Sequence, residues 1–252
     1  MRVFKSGQVN VDEENPYWMS FSDILSGLLI LFVLASVVLM VELMEAKQEL
    51  ENKQESFTEE LEMLHKAEGV RKTILHEAAE LLQQRGIQVT VSENETVLSI
   101  PNDILGFESA AFNIGPQFES TALEIGEVLS HVINQDNREQ YLDTIFIEGH
   151  TDSKNFNGMM GKGNWGLSTF RAISLWELWR DSLPDALKLD GVTNRDGNPL
   201  FSVSGYAATR RAVETEITDH DYRSNRRIDI RFTIRRPSSA EYESVRNRLE
   251  VQ

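Results

Sequence analysis

One carboxylate, Asp23, lies inside a long apolar run that covers residues 19–41 and holds no other ionisable side chain. From residue 24 to residue 41 the run has eighteen uncharged residues, which as a helix with about 1.5 Å rise per residue would cover roughly 27 Å. That length is close to the hydrocarbon thickness of a bilayer. A carboxylate at this depth costs about 2.5–3.5 kcal/mol on insertion scales, so it usually belongs to an ion pathway or to a paired site. Asp23 therefore predicts either ion transport or a local structural role.

Two interpretations of Asp23 are open. It is a helix cap if Ser20 and Asp23 form a capping box, with the acidic side chain in the first turn of the helix. It is functional if residues 16–18, Pro-Tyr-Trp, form the belt at the membrane interface, because Asp23 then lies more than one turn inside the apolar layer. Three small residues around Asp23 would let another helix approach closely: they are Ser22, Ser26 and Gly27.

The composition of the 252-residue chain excludes several classes of function. Its length predicts one domain, or one domain with appendages. A formal net charge of −15 argues against nucleic acid as a partner, because phosphate binding needs clustered Lys and Arg. The chain has no cysteine, which excludes disulfides, thiolate metal sites and thiol catalysis. Its five scattered His have no close metal-ligand spacing, so neither a metal nor another cofactor is expected.

The N-terminal residues 1–15 are short and polar and predict a tail before the membrane. The chain does not begin as an ordinary cleaved signal peptide does. Its apolar run is too long, and acidic residues 12–14 stand where basic residues belong. The run therefore predicts an uncleaved signal anchor, with a transmembrane helix over residues 16–44.

A charged stretch without proline follows the apolar run and predicts a juxtamembrane helix or linker over residues 45–86. Four apolar residues are spaced seven apart, as at one position of a coiled coil: they are Leu43, Leu50, Phe57 and Leu64. The stripe predicts either a parallel contact between two helices or a solvated charged helix with one apolar face. Gly86 has the position of a helix C-cap.

From residue 87 the hydrophobic periodicity changes from helical to alternating. The predicted strands are 87–91, 96–100, 142–148, 200–204 and 228–234, and the predicted helices are 122–133 and 167–183. Strands separated by helices predict an α+β fold, an α/β sandwich with its helices on one side of the sheet. This domain is assigned to residues 87–236, with a loop at 185–199 and a polar tail at 237–252.

The segment PYWMSFSDILSGLLILFVL, residues 16–34, resembles the N-terminal segment of MotB-type stator subunits. In that family an aromatic-rich entry is followed by a hydroxyl or small residue, the ion-carrying Asp and a membrane helix. The resemblance implies that Asp23 carries an ion, with H⁺ expected and Na⁺ as the alternative. No bound cofactor is implied.

Five short stretches of the second half occur in the order and spacing of an OmpA-like peptidoglycan-binding domain in its MotB-type form, over roughly residues 87–235. The stretches are Phe107-Glu-Ser-Ala-Ala-Phe112, Ile147-Glu-Gly-His-Thr-Asp152, Asn164-Trp-Gly-Leu-Ser-Thr-Phe-Arg-Ala172, Gly205-Tyr-Ala207 and Asn225-Arg-Arg-Ile-Asp-Ile230. Each stretch alone is weak, and the five together make the resemblance specific.

The resemblance implies a binding site for the peptide stem of peptidoglycan. The stem carries diaminopimelate, whose far end has an ammonium and a carboxylate. By the same mapping Asp152 takes the ammonium, and Arg171, expected in the first helical turn, takes the carboxylate. The other implied contacts are Thr151, Asn164 and Leu167, with Asn225 and Arg226 as further contributors.

Plainer interpretations of these residues exist. Asp152 and Arg171 would contribute little if they formed an exposed salt bridge. Trp165 is predicted to pack rather than to stack on a sugar. His150 lies next to Asp152, but no Ser or Cys nucleophile motif accompanies it, so the chain is not expected to be an enzyme.

The chain also departs from its relatives in two places near the predicted pocket. Many relatives have Gly-x-Gly-x-x-Pro where this chain has Gly205-Tyr-Ala-Ala-Thr-Arg-Arg-Ala212. Residues 153–163 are rich in Gly and Met and lack some residues that are typical of flagellar forms. Ligand affinity is therefore less securely predicted than the fold.

As a whole, the resemblance implies the B-type subunit of an ion-driven motor in a bacterial inner membrane. Its helix would lie inside a ring of A-type, MotA- or ZorA-like subunits, as part of a homodimer. The N-terminus is expected in the cytoplasm and the wall-binding domain in the periplasm. Residues 20–27, Ser-Phe-Ser-Asp-Ile-Leu-Ser-Gly, are more similar to ZorB subunits of Zorya anti-phage systems than to flagellar subunits. A flagellar stator subunit and a passive tether between membrane and cell wall are the alternatives.

Overall fold

A computed structural model describes residues 16–108 and 110–235. The described residues form two compact units, of which the first comprises residues 16–58 and the second residues 59–235. The predicted tails, 1–15 and 237–252, lie outside the described residues.

The first unit is helical throughout and belongs to helix α1, Pro16–Gln84. Its apolar side chains are exposed from Tyr17 onwards, as expected of a helix surrounded by lipid. The hydroxyl groups of Ser26 and Ser36 donate to helix carbonyls one turn back, at 2.7 and 2.8 Å, so they are satisfied without water. In the described part of the chain, α1 is the one helix that is long and apolar enough to cross a membrane, with a mean hydropathy of 3.0 in its most apolar window.

The second unit is built on a five-stranded sheet with the strand order β1-β2-β5-β3-β4. Strands β3 and β4 pair in parallel, and the other neighbouring pairs are antiparallel. The strands are β1 Thr90–Val91, β2 Val97–Pro101, β3 Leu142–His150, β4 Phe201–Gly205 and β5 Arg227–Ile234. The sequence predicts the four longer strands to within two residues at each end.

The predicted strand 87–91 is wrong in length, because only two of its residues pair with β2. Thr90 pairs with Ser99, so an extension of β1 toward its N-terminus would place Val89 opposite Ile100 and Gln88 opposite Pro101. Proline has no N–H group to donate to such a ladder. Pro101 therefore disfavours pairing beyond Val89.

Four further α-helices follow α1 in the described residues: α2 Asn102–Leu105, α3 Glu119–Asn134, α4 Gly163–Ser182 and α5 Asp219–Asn225. Three short 3-10 helices lie at Pro116–Phe118, Gln135–Tyr141 and Asp185–Leu187. Apolar side chains of the sheet pack with α1, α3 and α4 into one hydrophobic core. Polar residues such as Glu148 and Arg231 alternate with them along β3 and β5 and face away from that core. The predicted fold class, an α/β sandwich preceded by a long apolar helix, is confirmed.

The last turns of α1 belong to the core of the second unit. Ile74, Leu75 and Leu82 are fully buried there, and each such burial contributes about 1.5–3 kcal/mol. The segment predicted as a linker thus supplies core residues, and the compact unit begins at Glu59 rather than at residue 87. The helix ends as predicted, with Gly86 at a left-handed φ of 80°.

Candidate functional site

Strand β3 and helix α4 position the two residues of the predicted clamp. Strand β3 ends at His150, so Asp152 lies just beyond it. Helix α4 begins at Gly163, so Arg171 lies in its third turn and not in the first turn as predicted. The N-terminus of α4 is about 12 Å from Arg171 along the helix axis. Its N–H groups therefore do not assist Arg171, contrary to the prediction.

Asp152 is buried and already paired. Arg226 donates from Nη1 to Asp152 Oδ2 at 2.5 Å, and the backbone N–H of Lys154 donates to Oδ1 at 3.1 Å. Asp152 is 8% exposed and Arg171 is 2% exposed. The interpretation as an exposed salt bridge is therefore wrong. Among the described residues, the ion-pair partner of Asp152 is Arg226.

Arg171 holds the loop that precedes α3. Its Nε donates to the carbonyl oxygen of Ala111 at 3.0 Å, and its Nη2 donates to that of Glu108 at 3.1 Å. The guanidinium carbon lies 5.3 Å from the ring centroid of Phe107, a cation–π arrangement. Two of the three guanidinium nitrogens are therefore used on backbone carbonyls of this one loop.

The site holds charges of both signs. Burial lowers the pKa of Arg171 to about 10, the nearby charge of Arg226 acts in the same direction, and Asp152 opposes both. The guanidinium thus remains charged at neutral pH. A guanidinium can bind the carboxylate of a ligand through two hydrogen bonds. A ligand ammonium, in contrast, has to share Asp152 with Arg226.

Asn164 fixes the site loop, residues 151–154, from the first turn of α4. Its Nδ2 donates to the carbonyl oxygen of Lys154 at 3.0 Å and lies 3.4 Å from that of Asp152. Leu167 is buried one turn further along the helix. Of these two implied contacts, Asn164 therefore positions the loop, and Leu167 is a buried apolar residue of α4.

Thr151 has a buried hydroxyl group that no described residue contacts by a hydrogen bond. Its backbone N–H donates to the carbonyl oxygen of Ala207 at 2.9 Å. A buried polar atom without a partner requires an explanation. A ligand or a water molecule at this site would satisfy it.

Asn225 holds the strap, which we define as residues 206–218 between β4 and α5. Its Oδ1 accepts from the N–H groups of Ala212 and Val213 at 2.7 and 2.9 Å. Its Nδ2 donates to Val213 O at 2.8 Å and to Glu216 Oε1 at 2.7 Å. The hydrogen-bonding capacity of the amide is therefore used. A ligand contact at Asn225 would have to break one of these bonds.

Glu216 is a site residue that the sequence reasoning missed. Its carboxylate oxygens lie 3.1 and 3.3 Å from the backbone N of Ser153, so it joins the strap to the site loop. Burial raises the pKa of Glu216, but the hydrogen bonds from Ser153 and Asn225 outweigh it and lower that pKa overall. No local motif could reveal this contact, which joins residues 63 positions apart in a chain with 40 acidic residues.

A second buried cluster supports the same end of β3. Ligand atoms of Glu148, His150 and Asp229 all lie within 4.8 Å of one another. Glu148 accepts two hydrogen bonds from Arg231 at 2.8 and 2.9 Å, and Asp229 accepts from Arg227 at 3.0 Å. A cation would have to displace these arginines, so the cluster has the chemistry of a structural charge network rather than of a metal site.

Asp229→Asn is expected to lower the free energy of unfolding by about 2–3 kcal/mol at pH 7. Burial raises the pKa of Asp229, but the close contact with His150 and the charge of Arg227 outweigh it and hold that pKa at about 2. Because this pKa lies below the unfolded value of about 3.9, the stabilisation is present above pH 4 and is lost as the pH falls toward 2.

Chemical unfolding of the full chain in detergent micelles, followed by tryptophan fluorescence between pH 7 and pH 2, measures this effect. Asp185→Asn is the control, since the Asp185 side chain is 94% exposed. Its effect should stay within about 0.5 kcal/mol. The wild type and Asp229→Asn could also differ in stability by the same amount at pH 7 and at pH 2. The charge of Asp229 would then contribute nothing to the free energy of unfolding.

Asp23 lies in the third turn of α1, because the first described residue of that helix is Pro16. Ser20 and Asp23 both lie inside the helix, where the backbone N–H groups already have helical partners. The capping-box interpretation of Asp23 is therefore wrong. The side chain is exposed on an apolar helix surface, where a carboxylate needs a partner or a proton.

Neither protein-family models nor curated protein sequences match this chain. Among solved structures, it is similar to a putative MotB-like protein from Desulfovibrio vulgaris, with 16% identity over 68% of this chain and 99% of that chain and a TM-score of 0.50. Others are the cell wall anchor of the T6SS from Pseudomonas aeruginosa (20% identity, 64% of this chain and 97% of that chain, TM-score 0.45) and the periplasmic domain of Helicobacter pylori MotB (18%, 60% and 84%, TM-score 0.43). The likeness to the MotB-like protein establishes the fold of the second unit.

Proposed function

We propose that the chain is the B-type subunit of an ion-driven rotary motor in a bacterial inner membrane. One observation carries this proposal: a carboxylate without a capping role, Asp23, lies in an apolar helix of a chain whose α/β unit has a MotB-like fold. A helix that only anchors a protein gains nothing from a carboxylate at this depth. The ion is H⁺ in this proposal, with Na⁺ as the alternative.

The α/β unit anchors the motor to peptidoglycan in the periplasm, as an OmpA-like domain does, and the N-terminus lies in the cytoplasm. The ligand is the diaminopimelate of a peptide stem. Its carboxylate meets the buried charge of Arg171, and its ammonium shares Asp152 with Arg226. The unpaired hydroxyl of Thr151 and the buried charge of Arg171 support a ligand of this kind. The role is that of a binding protein and not of an enzyme.

The partners are a ring of A-type subunits, MotA- or ZorA-like, and a second copy of the chain. In the first unit, Leu43, Leu50 and Phe57 are spaced seven apart on α1 and are 71%, 66% and 60% exposed. A parallel second copy would cover this stripe in a coiled-coil contact. The same symmetry would place two copies of Asp23 within one ring.

The similarity of residues 20–27 to ZorB subunits favours a motor that serves Zorya anti-phage defence, in which this chain takes the place of ZorB. A flagellar stator subunit is the second candidate. The helical structure of residues 16–84 favours the first, because these described residues contain no long irregular segment. A passive tether is the third candidate, and it shares only the wall-binding half of the proposal.

Asp152→Asn tests the wall-binding half. The substitution keeps the shape of the side chain but removes the charge that faces Arg226 and the ligand ammonium, so the affinity for peptidoglycan should fall about 30-fold. Cosedimentation of the full-length protein in detergent with purified sacculi measures it.

The matched control for this test is Asp219→Asn. The Asp219 side chain is 83% exposed and lies 3.9 Å from Lys154 of the same loop, so the control removes the same charge nearby and leaves the Asp152–Arg226 pair in place. Wild-type binding by both variants would remove Asp152 from the site. Equal losses in both would show that only the overall charge of this surface matters.

A further inference from the structure

A cavity of about 230 Å³ lies between helix α1 and the end of strand β5. Its apolar wall consists of Met63, Leu64 and Ala67 on α1 and of Tyr141, the residue before β3. A protein cavity of about 150 Å³ is large enough to hold a benzene molecule. The cavity beside α1 therefore has room for an aromatic or branched apolar side chain.

Two exposed apolar side chains adjoin this cavity. In the second unit, described at residues 59–108 and 110–235, six large apolar side chains are exposed: Leu61, Met63, Met160, Trp165, Phe170 and Ile217. Trp165, at 55% exposure, does not pack as predicted from the sequence. Met63 lines the cavity, and Leu61 lies one turn before Leu64 on the same face of α1. We define the α1 groove as the surface formed by Leu61, Met63, Leu64, Ala67 and Tyr141.

The described part of the chain ends at this groove. Its last residue, Arg235, lines the cavity, and the backbone N–H of Arg235 donates to the carbonyl oxygen of Tyr141 at 3.0 Å. Residues 236–252 continue from this point and lie outside the described residues. A tether of three residues reaches at most about 11 Å. A short tether gives the segment that follows it an effective concentration in the millimolar range at the groove, which favours this segment over a separate partner molecule.

The sequence after Arg235 has the apolar spacing of an amphipathic helix. Tyr242, Val245 and Leu249 follow one another at intervals of three and four residues, so in a helix they would share one face. From Tyr242 to Leu249 a helix rises about 10 Å. Leu61 and Ala67 are about 9 Å apart along α1. The apolar stripe of the segment and the α1 groove therefore match in length.

The charges of the segment complement those of α1 if the two helices run antiparallel. The segment has two acidic residues before two basic ones: Glu241 and Glu243, then Arg246 and Arg248. The basic side chains of Lys66, Arg195 and Arg235 line the cavity, where the segment begins. Toward its N-terminus α1 has three acidic residues: Glu59, Glu60 and Glu62. Each half of the segment thus meets side chains of opposite charge, which fixes its direction.

We propose that residues 239–251 form a helix that docks antiparallel to α1 in the α1 groove of the same chain. Tyr242, the first residue of the apolar stripe, fills the cavity, and Leu249 covers Leu61. Docked there, the segment braces α1 just before Ile74 and Leu75, where α1 enters the hydrophobic core. This inference does not depend on the proposed function.

The test measures the distance between two spin labels on the full-length protein in detergent micelles by pulsed electron paramagnetic resonance. The labels are attached at Thr73→Cys, an exposed position of α1, and at Asn247→Cys, opposite the apolar stripe of the segment. The chain has no cysteine of its own, so only these two positions react. An excess of unlabelled protein ensures that each distance is measured within one chain. One narrow distribution at about 25–35 Å is expected.

Met63→Glu in the groove and Leu249→Glu in the segment should each replace the narrow distribution by a broad one. Val251→Glu is the matched control, because residue 251 lies on the other side of a helix from the stripe, and its distribution should stay narrow. A broad distribution in the protein with only the two labels would overturn the docking. A narrow distribution that persists in both glutamate variants would overturn the α1 groove as the site. A narrow distance that disappears on dilution with unlabelled protein would place the segment on a second copy and overturn docking within one chain.

Discussion

Asp23→Asn is expected to abolish phage protection in cells that carry the native operon, to the level of cells without it. Asparagine has nearly the same size as aspartate but cannot gain and lose a proton. Desolvation between packed helices favours the neutral form of a carboxylate, and release to the other side requires the charged form. An asparagine is fixed in one of these states, so the transport cycle stops. Plating efficiency at matched expression measures the effect.

Ser20→Ala is the matched control for this experiment, because Ser20 is the other residue of the rejected capping box. It lies inside α1 as Asp23 does, so its removal should leave protection intact. Swimming is measured in parallel. Lost swimming with unchanged protection would assign the chain to a flagellar stator. If Asp23→Asn cells show wild-type phage protection and wild-type swimming, the protein acts as a passive tether between membrane and cell wall.

The capping-box alternative for Asp23 shows what local sequence can and cannot establish. Ser20-x-x-Asp23 fits a capping box only if the helix starts at Ser20. The aromatic residues before it are compatible with either a helix or an interfacial loop, and the structure extends the helix back to Pro16. A capping motif therefore has no meaning until the start of its helix is known.

The strands of the sheet were predictable from two patterns: alternation of apolar and polar residues, as in β5, and a short apolar run typical of a buried strand, as in β3. In β5, Ile228, Ile230 and Phe232 are buried, and the residues between them carry charge. The predicted start of helix α4 was four residues too late, because its first turn contains Gly163 and Gly166 and lacks an apolar stripe. Periodicity thus predicts an element well only where one of its faces is apolar.

The partners within the site could not be predicted from sequence. The resemblance selected Asp152, but its ion pair is with Arg226, 74 residues away. The resemblance also suggested Asn225 as a ligand contact, whereas its amide is used by the strap. Such contacts depend on which loops the fold brings together. The spacing of these residues along the chain does not indicate such contacts.

Arg171→Ala is the substitution with the largest expected effect on the α/β unit. It leaves the carbonyl oxygens of Glu108 and Ala111 without their donors and opens a cavity beneath them. The expected loss is about 2–4 kcal/mol in the free energy of unfolding. Removal of a desolvated charge near Arg226 offsets part of that loss. Binding of the free stem tetrapeptide should disappear as well.

Arg171→Ala alone cannot distinguish a binding role from a structural role, so two further variants are needed. Arg171→Met fills the same volume without charge or donors. Arg171→Lys keeps the charge but cannot donate to both carbonyl oxygens at once. If Arg171 binds the ligand carboxylate through its charge, the lysine variant should bind the tetrapeptide more weakly than wild type and the methionine variant not at all.

Unfolding and peptide titration of the same three variants separate the two roles. If the affinity for the tetrapeptide falls in step with the free energy of unfolding across the three variants, Arg171 acts only by holding the loop before α3. The methionine variant decides the question, because its packing is preserved and its charge is not. Tetrapeptide binding by that variant at wild-type affinity would refute the clamp, whatever its stability. A methionine variant that folds but does not bind the tetrapeptide would show that the buried charge of Arg171 serves ligand binding. The positive charge of Arg226 makes that buried charge energetically costly.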